Sequence, residues 1–262
     1  MTAPTGVPGS AGAGAARRPR VICHMMTSLD GRIVTGGWPL APEERRQYEQ
    51  VHASYEADGW ICGRVTMEPF AEGVRAEEEV GREHPSLRSG QAPGGAQRED
   101  FRAPGDFDSF AFAIDPRGRL AWATNDIDGD HVVAILSERV SDDYLAFLRD
   151  RGVSYLLAGA RDPSGGWGQA VDLAGALEKI GARFGVRTLM LEGGGKINGA
   201  LLRAGLVDEV SLLVAPVADG RIGTPALFDV EGEGFAPCAL ALASVEQRAD
   251  GVVWLRYRVV GS

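Results

Sequence analysis

Apolar residues fall into short unbroken runs separated by glycine and charge. Residues 21–26, 60–62, 110–114, 131–136, 153–157 and 188–191 show no alternation, the pattern of strands buried on both faces. Helical periods lie between them. Residues 43–57 follow Pro42, open with two Glu residues, and put Tyr48, Val51 and Tyr55 on one face. Residues 141–150 form another helix, and 169–184 carry Leu173, Leu177, Ile180 and Phe184 in one stripe. A short helix is predicted over 196–202, stopped by Gly205, and then a strand over 207–215. Two last strands, near 239–247 and 252–259, join at Asp250-Gly251. The alternation predicts an α/β layer fold: a mixed, mainly parallel central sheet flanked by helices, with an antiparallel edge. No repeat and no second core is visible, so residues 20–262 read as a single domain. Residues 1–19, rich in Gly, Ala and Pro, read as a disordered arm, and 71–108 as a loop insert near the site mouth.

Two strand ends carry candidate chemistry. The run 188–191 passes straight into Glu192-Gly193-Gly194-Gly195 and then a helix. Such a turn presents bare backbone N–H groups at the positive end of a helix dipole, where they suit phosphate. Without Cβ atoms, a pyrophosphate can lie against the backbone. The segment is not the common dinucleotide fingerprint, which needs a glycine at Asn198, nor a P-loop, whose first glycine would fall on Met190. A tight turn without a ligand is the plainer reading. The run 60–62 ends likewise, in Gly63-Arg64-Val65-Thr66-Met67-Glu68.

Composition narrows the function classes. The net charge of −9 argues against a nucleic-acid surface or a polybasic membrane anchor. Cys23, Cys62 and Cys238 are far apart, and two lie inside apolar runs. Buried reduced thiols in a reducing, cytoplasmic compartment are expected. The histidines lack metal-ligand spacing, so no metal is expected. No apolar stretch is long enough to span a membrane.

Together the first strand with residues 27–33 and Trp38-Pro39, the G-R-x-T-x-E pattern at Gly63–Glu68, and the glycine segment resemble the dihydrofolate-reductase-like fold. The nearest resemblance is to the reductase domain of bacterial riboflavin-biosynthesis deaminase/reductases and their stand-alone relatives. Ser28-Leu29-Asp30-Gly31-Arg32-Ile33, Leu189-Met190-Leu191-Glu192-Gly193-Gly194, Gly205-Leu206-Val207-Asp208-Glu209 and Ala215-Pro216 carry it. It spans Val21 to about Val259, with 71–108 excepted. It implies an NADPH-dependent, homodimeric reductase that delivers hydride to the ribose C1′ of a ribosylaminopyrimidine phosphate, as in 5-amino-6-(5-phosphoribosylamino)uracil reductase. The zinc-deaminase motifs of bifunctional members, H-x-E and P-C-x-x-C, do not occur. Riboflavin members also carry D-D-P-x-L-x-x-R, which helps hold the substrate's ribose phosphate. Here Glu68-Pro69-Phe70-Ala71-Glu72-Gly73-Val74-Arg75 stands instead.

The resemblance assigns roles. Gly193, Gly194 and Gly195 take the pyrophosphate, with Gly63 and Thr66 approaching from the facing strand end. Arg64 pairs with the 2′-phosphate, and Ser137 sits at the adenosine end. Asp30 and Glu192 are the candidate catalytic carboxylates, each just past an apolar strand, accepting acceptor N–H groups or moving a proton. Trp38 is a packed wall near the nicotinamide. Each has a plainer reading: Arg64 as a surface residue, Ser137 and Asp30 as turn formers, Glu192 as a partner of its own turn. Two other functions fit the same fold. One is a pterin or dihydrofolate reductase, drawing a carboxylate from Glu43 or Glu44. The other is a non-catalytic nucleotide-binding module.

Overall fold

The computed structural model describes residues 18–75, 98–159, 171–230, 232 and 234–260. Most of the predicted arm, residues 76–97 of the predicted insert and residues 160–170 lie outside this set.

The runs without alternation form strands. In chain order these are β1 (Arg20–Thr27), β2 (Gly59–Gly63), β3 (Phe110–Ile114), β4 (Asp126–Ile127), β5 (Asp130–Leu136), β6 (Ser154–Leu157), β7 (Thr188–Leu191), β8 (Glu209–Val214), β9 (Leu240–Gln247) and β10 (Val253–Val259). The helices are α1 (Pro42–Ser54), α2 (Arg64–Met67), α3 (Asp142–Asp150), α4 (Leu173–Phe184) and α5 (Gly195–Arg203). All strands join one ten-stranded sheet, ordered β4-β5-β3-β2-β7-β1-β8-β10-β9, with β6 also beside β5. From β5 to β8 neighbours run parallel, whereas β10 and β9 close the far side antiparallel.

Alternate strand residues feed different helices. Cys23, Ile61, Phe112 and Leu191 pack with Leu177 and Ile180 of α4 and Leu201 of α5. On the other face, Ala113 and Ala134 meet Tyr144 and Leu148 of α3, and Met26 and Leu213 meet Val51 of α1. Double-sided burial is why these strands lack in/out alternation.

Helix ends differ from the sequence reading for local reasons. Helix α1 stops at Ser54 rather than 57, because Glu56 turns to a positive φ of 45°. Helix α4 begins at Leu173, where the Asp172 carboxylate accepts the Gly175 N–H at 3.2 Å. Four residues after β2 form α2, too short for a visible period.

Residues 98–108 do not approach the site mouth. The Asp100 carboxylate accepts the Leu157 N–H at 2.8 Å and pairs with Lys179 and Arg183. Phe101 bridges to Tyr155, and Phe107 stacks on His131 with ring centroids 3.7 Å apart. This part of the expected insert therefore packs along the β5–β6 side of the sheet.

Candidate active site

Strand β7 sits between β2 and β1, although both precede it by more than a hundred residues. Chain order across the sheet reverses there, the usual ligand position in such sheets. The Gly63 N–H donates to the Gly193 oxygen at 2.9 Å, which sets the two glycine segments side by side.

The three consecutive glycines have different surroundings. Gly193 has a φ of 99° and faces the Met25 thioether. A Cβ on Gly194 would meet only the Thr66 Oγ1, at 3.7 Å, so the space above it is open and bounded by a hydroxyl. On Gly195 a Cβ would lie 2.3 Å from the Ala226 oxygen and 2.7 Å from Asp229 Oδ2. Gly195 is thus held to glycine by the chain packed behind α5. Gly63 is similar, since a Cβ there would come 2.8 Å from Ile197. Gly195→Ala should lower folding stability by roughly 1–3 kcal/mol, the scale of an overpacked site, as read by urea unfolding.

A cavity of about 370 Å³ adjoins the turn through Met25. Its floor includes Met25, Met26, Ile33 and Leu40, and α1 contributes Arg45, Tyr48 and Glu49. Arg45 has no side-chain partner among the described residues.

One helical turn past Tyr48 along α1, His52 meets Glu192, the residue after β7. The Glu192 Oε1 is 2.6 Å from the Nδ1 of His52, which sequence reasoning did not single out. The hydrogen bond to Glu192 raises the His52 pKa above the ordinary histidine range; partial burial opposes this, and the charges of Glu192, Glu49 and Asp130 add to it. Beside the pair, His24 stacks on Tyr48 at 4.3 Å between centroids. Burial, then the Glu192 charge, pushes the Tyr48 hydroxyl pKa up. No signal short of the packing of α1 on the sheet links His52 to Glu192. They are 140 positions apart.

Other candidates have different engagements. Asp30 accepts from the Ser28 hydroxyl at 2.7 Å and from the N–H groups of Asp219 and Gly220, each at 2.9 Å. Its carboxylate ties two loops together, and these bonds, Ser28 first, lower its pKa to about 2. These are the contacts of a loop former, the plainer of the two readings of Asp30. A depressed folded pKa means that its contribution is present above the unfolded value of 3.8 and lost as pH falls through about 2. Asp30→Asn should speed hydrogen exchange at the Asp219 and Gly220 amides near neutral pH; unchanged rates would deny the tie.

The Ser137 hydroxyl is buried and donates to the Pro116 oxygen at 2.7 Å, the contact of a turn serine. Arg64 pairs with Glu68 beside Arg119 and Asp115, and burial, then the Arg119 charge, lowers its pKa. Trp38 is buried, with its indole N–H donating to Asp219 at 2.6 Å. Of the helix carboxylates, Glu43 pairs with Arg46, and Glu44 folds back onto the Ala41 N–H. Arg75, the last residue of the substituted run, lies over Tyr144 and Phe147 of α3.

The model of the RibD C-terminal domain matches residues 19–254. The chain belongs to the RibD C-terminal reductase domain family. Its sheet and helices are those of the dihydrofolate-reductase-like fold that the family shares. The chain is 31% identical, over 230 residues, to the 2,5-diamino-6-ribosylamino-4(3H)-pyrimidinone 5′-phosphate reductase of Methanothermobacter thermautotrophicus, covering 86% of this chain and 89% of that protein. It is 25% identical over 228 residues to the riboflavin biosynthesis protein RibD of Actinobacillus pleuropneumoniae, spanning 83% of this chain but 50% of that one. Among solved structures, a pyrimidine reductase-like protein from Corynebacterium diphtheriae superposes with a TM-score of 0.64 at 17% identity, over 93% of each chain. The reductases of the RibD family use a pyridine nucleotide. The open space over Gly194, edged by Thr66, fits the diphosphate of such a cofactor.

Proposed function

We propose that this RibD-family chain is an NADPH-dependent reductase acting on a ribosylaminopyrimidine 5′-phosphate, as the name of its Methanothermobacter relative describes for that protein. The observation that carries this reading is the open backbone at Gly194, facing Thr66 and adjoining an apolar cavity through Met25. Gly193, Gly194, Gly63 and Thr66 would hold the diphosphate. Arg64, beside Arg119, supports a 2′-phosphate and hence NADPH over NADH. The bound nicotinamide supplies hydride donation.

The chain's own residues do the rest. Met25, Met26 and Leu40 give the acceptor an apolar surface that excludes water. Glu192 accepts an N–H or O–H of the acceptor and fixes its orientation. Arg45 at the cavity, without a side-chain partner among the described residues, suits the acceptor's phosphate in place of the substituted run. A second copy of the chain is supported by the exposed Leu242 and Val245 on edge strand β9.

The test is loss of NADPH absorbance with 2,5-diamino-6-ribosylamino-4(3H)-pyrimidinone 5′-phosphate, with dihydrofolate as the rival acceptor. Turnover of the pyrimidine alone is expected. Turnover of dihydrofolate alone would move the reading to a pterin reductase, and NADPH binding without turnover of either would favour a binding module.

A further inference from the structure

His52 and Glu192 form a close pair within a few residues of the cavity. Their side chains are 30% and 15% exposed, so the pair is partly shielded yet open to a ligand. His52 reaches Glu192 from α1, which packs over β1 and β8. Residue 52 then falls one turn past Tyr48, which stacks on His24 of β1. The Glu192 backbone is held by its N–H bond to the Ile61 oxygen at 3.0 Å, and Gly193 follows immediately. The carboxylate therefore stands on a rigid strand end, and His52 takes one of its two oxygens.

We propose that His52 is a positioning residue for Glu192: its Nδ1–H fixes Oε1, so that the carboxylate is presented to the acceptor in one orientation. This rests on the reductase reading above. The groups around His52 agree with the assignment. Glu49 on α1 and Asp130 on β5 add negative charge. His24 on β1, with its ring centroid 6.3 Å away, is kept neutral chiefly by burial. Burial, then Glu192, pushes up the thiols of Cys23 on β1 and Cys62 on β2, so neither adds a thiolate charge beside the pair. The Tyr48 and Tyr55 hydroxyls on α1 also have raised pKa values, burial first, and stay protonated. His52 is therefore the hydrogen-bond partner of Glu192 whose pKa the pair raises.

The experiment compares wild type, Glu192→Gln, His52→Ala and His52→Asn. The asparagine amide nitrogen can stand close to where the imidazole Nδ1 stood, so this variant keeps a neutral donor. The imidazole of His52 is followed by NMR through a pH titration, and NADPH affinity and kcat on the pyrimidine acceptor are measured separately. In Glu192→Gln the His52 titration should fall back toward about 6.5, the ordinary histidine value. In His52→Ala, kcat should fall roughly 10-fold with NADPH affinity unchanged, the scale of a modest misplacement of a working group. His52→Asn should restore most of that loss, which a merely space-filling role would not require. An unmoved His52 titration in Glu192→Gln, or full kcat in folded His52→Ala, would overturn the proposal. If the wild type binds NADPH but leaves the pyrimidine unreduced, the substrate reading fails by itself. The NMR titration then decides the pair: a fall in Glu192→Gln supports it, and no change overturns it.

Discussion

Gly194→Val is expected to weaken NADPH binding roughly 100-fold, about 2.7 kcal/mol, while leaving the protein folded. Gly194 has φ −60° and ψ 173°, a region open to any residue, so the substitution does not force the backbone. Its first side-chain atom would meet only a hydroxyl at 3.7 Å. The added methyl groups would instead fill the space assigned to the diphosphate and hold it off the N–H groups at the start of α5. Gly195→Ala supplies the contrast, because its Cβ strikes the backbone at Ala226 and costs stability rather than affinity. Fluorescence titration of NADPH, with thermal unfolding of each variant as a control, separates the two effects. Equal affinities for wild type and folded Gly194→Val would remove this turn from the cofactor site.

Glu192→Gln should cut turnover by about 100-fold or more and leave NADPH affinity within a few-fold, the scale of a lost acid–base or polar anchor. The amide keeps the shape of the side chain and removes its charge. Glu192 has an oxygen on His52, one turn of α1 past Tyr48 of the cavity wall. A carboxylate there would repel a phosphate and would suit an acceptor with N–H donors. Single-turnover kinetics on the pyrimidine acceptor, with cofactor binding measured apart, gives the answer. Full activity in folded Glu192→Gln would reduce Glu192 to a structural partner of His52.

The linear pattern of residues set most of the framework. Runs buried on both faces lack alternation, so Phe110–Ile114 and Thr188–Leu191 were legible as inner strands to the residue. Burial is a property of each short segment and leaves a local trace. Glycines behind a strand mark a backbone that must turn tightly, and they located the candidate site before any pairing was known. Pairing, cavities and side-chain destinations leave no such trace. Gly194 and Gly195 look alike in sequence, yet one faces open space and the other the oxygen of Ala226, a residue 31 positions from it. Asp30 read as a catalytic candidate because it follows a strand, but its bonds depend on where the loop at Asp219 and Gly220 arrives. Ser137 was spent on Pro116 for the same reason. His52 became visible only when α1 packed on the sheet and brought it to Glu192, since nothing in the sequence brings together residues so far apart. What the sequence determined by itself was which segments bury and where the backbone turns; the partner of each polar side chain was decided only when the sheet assembled.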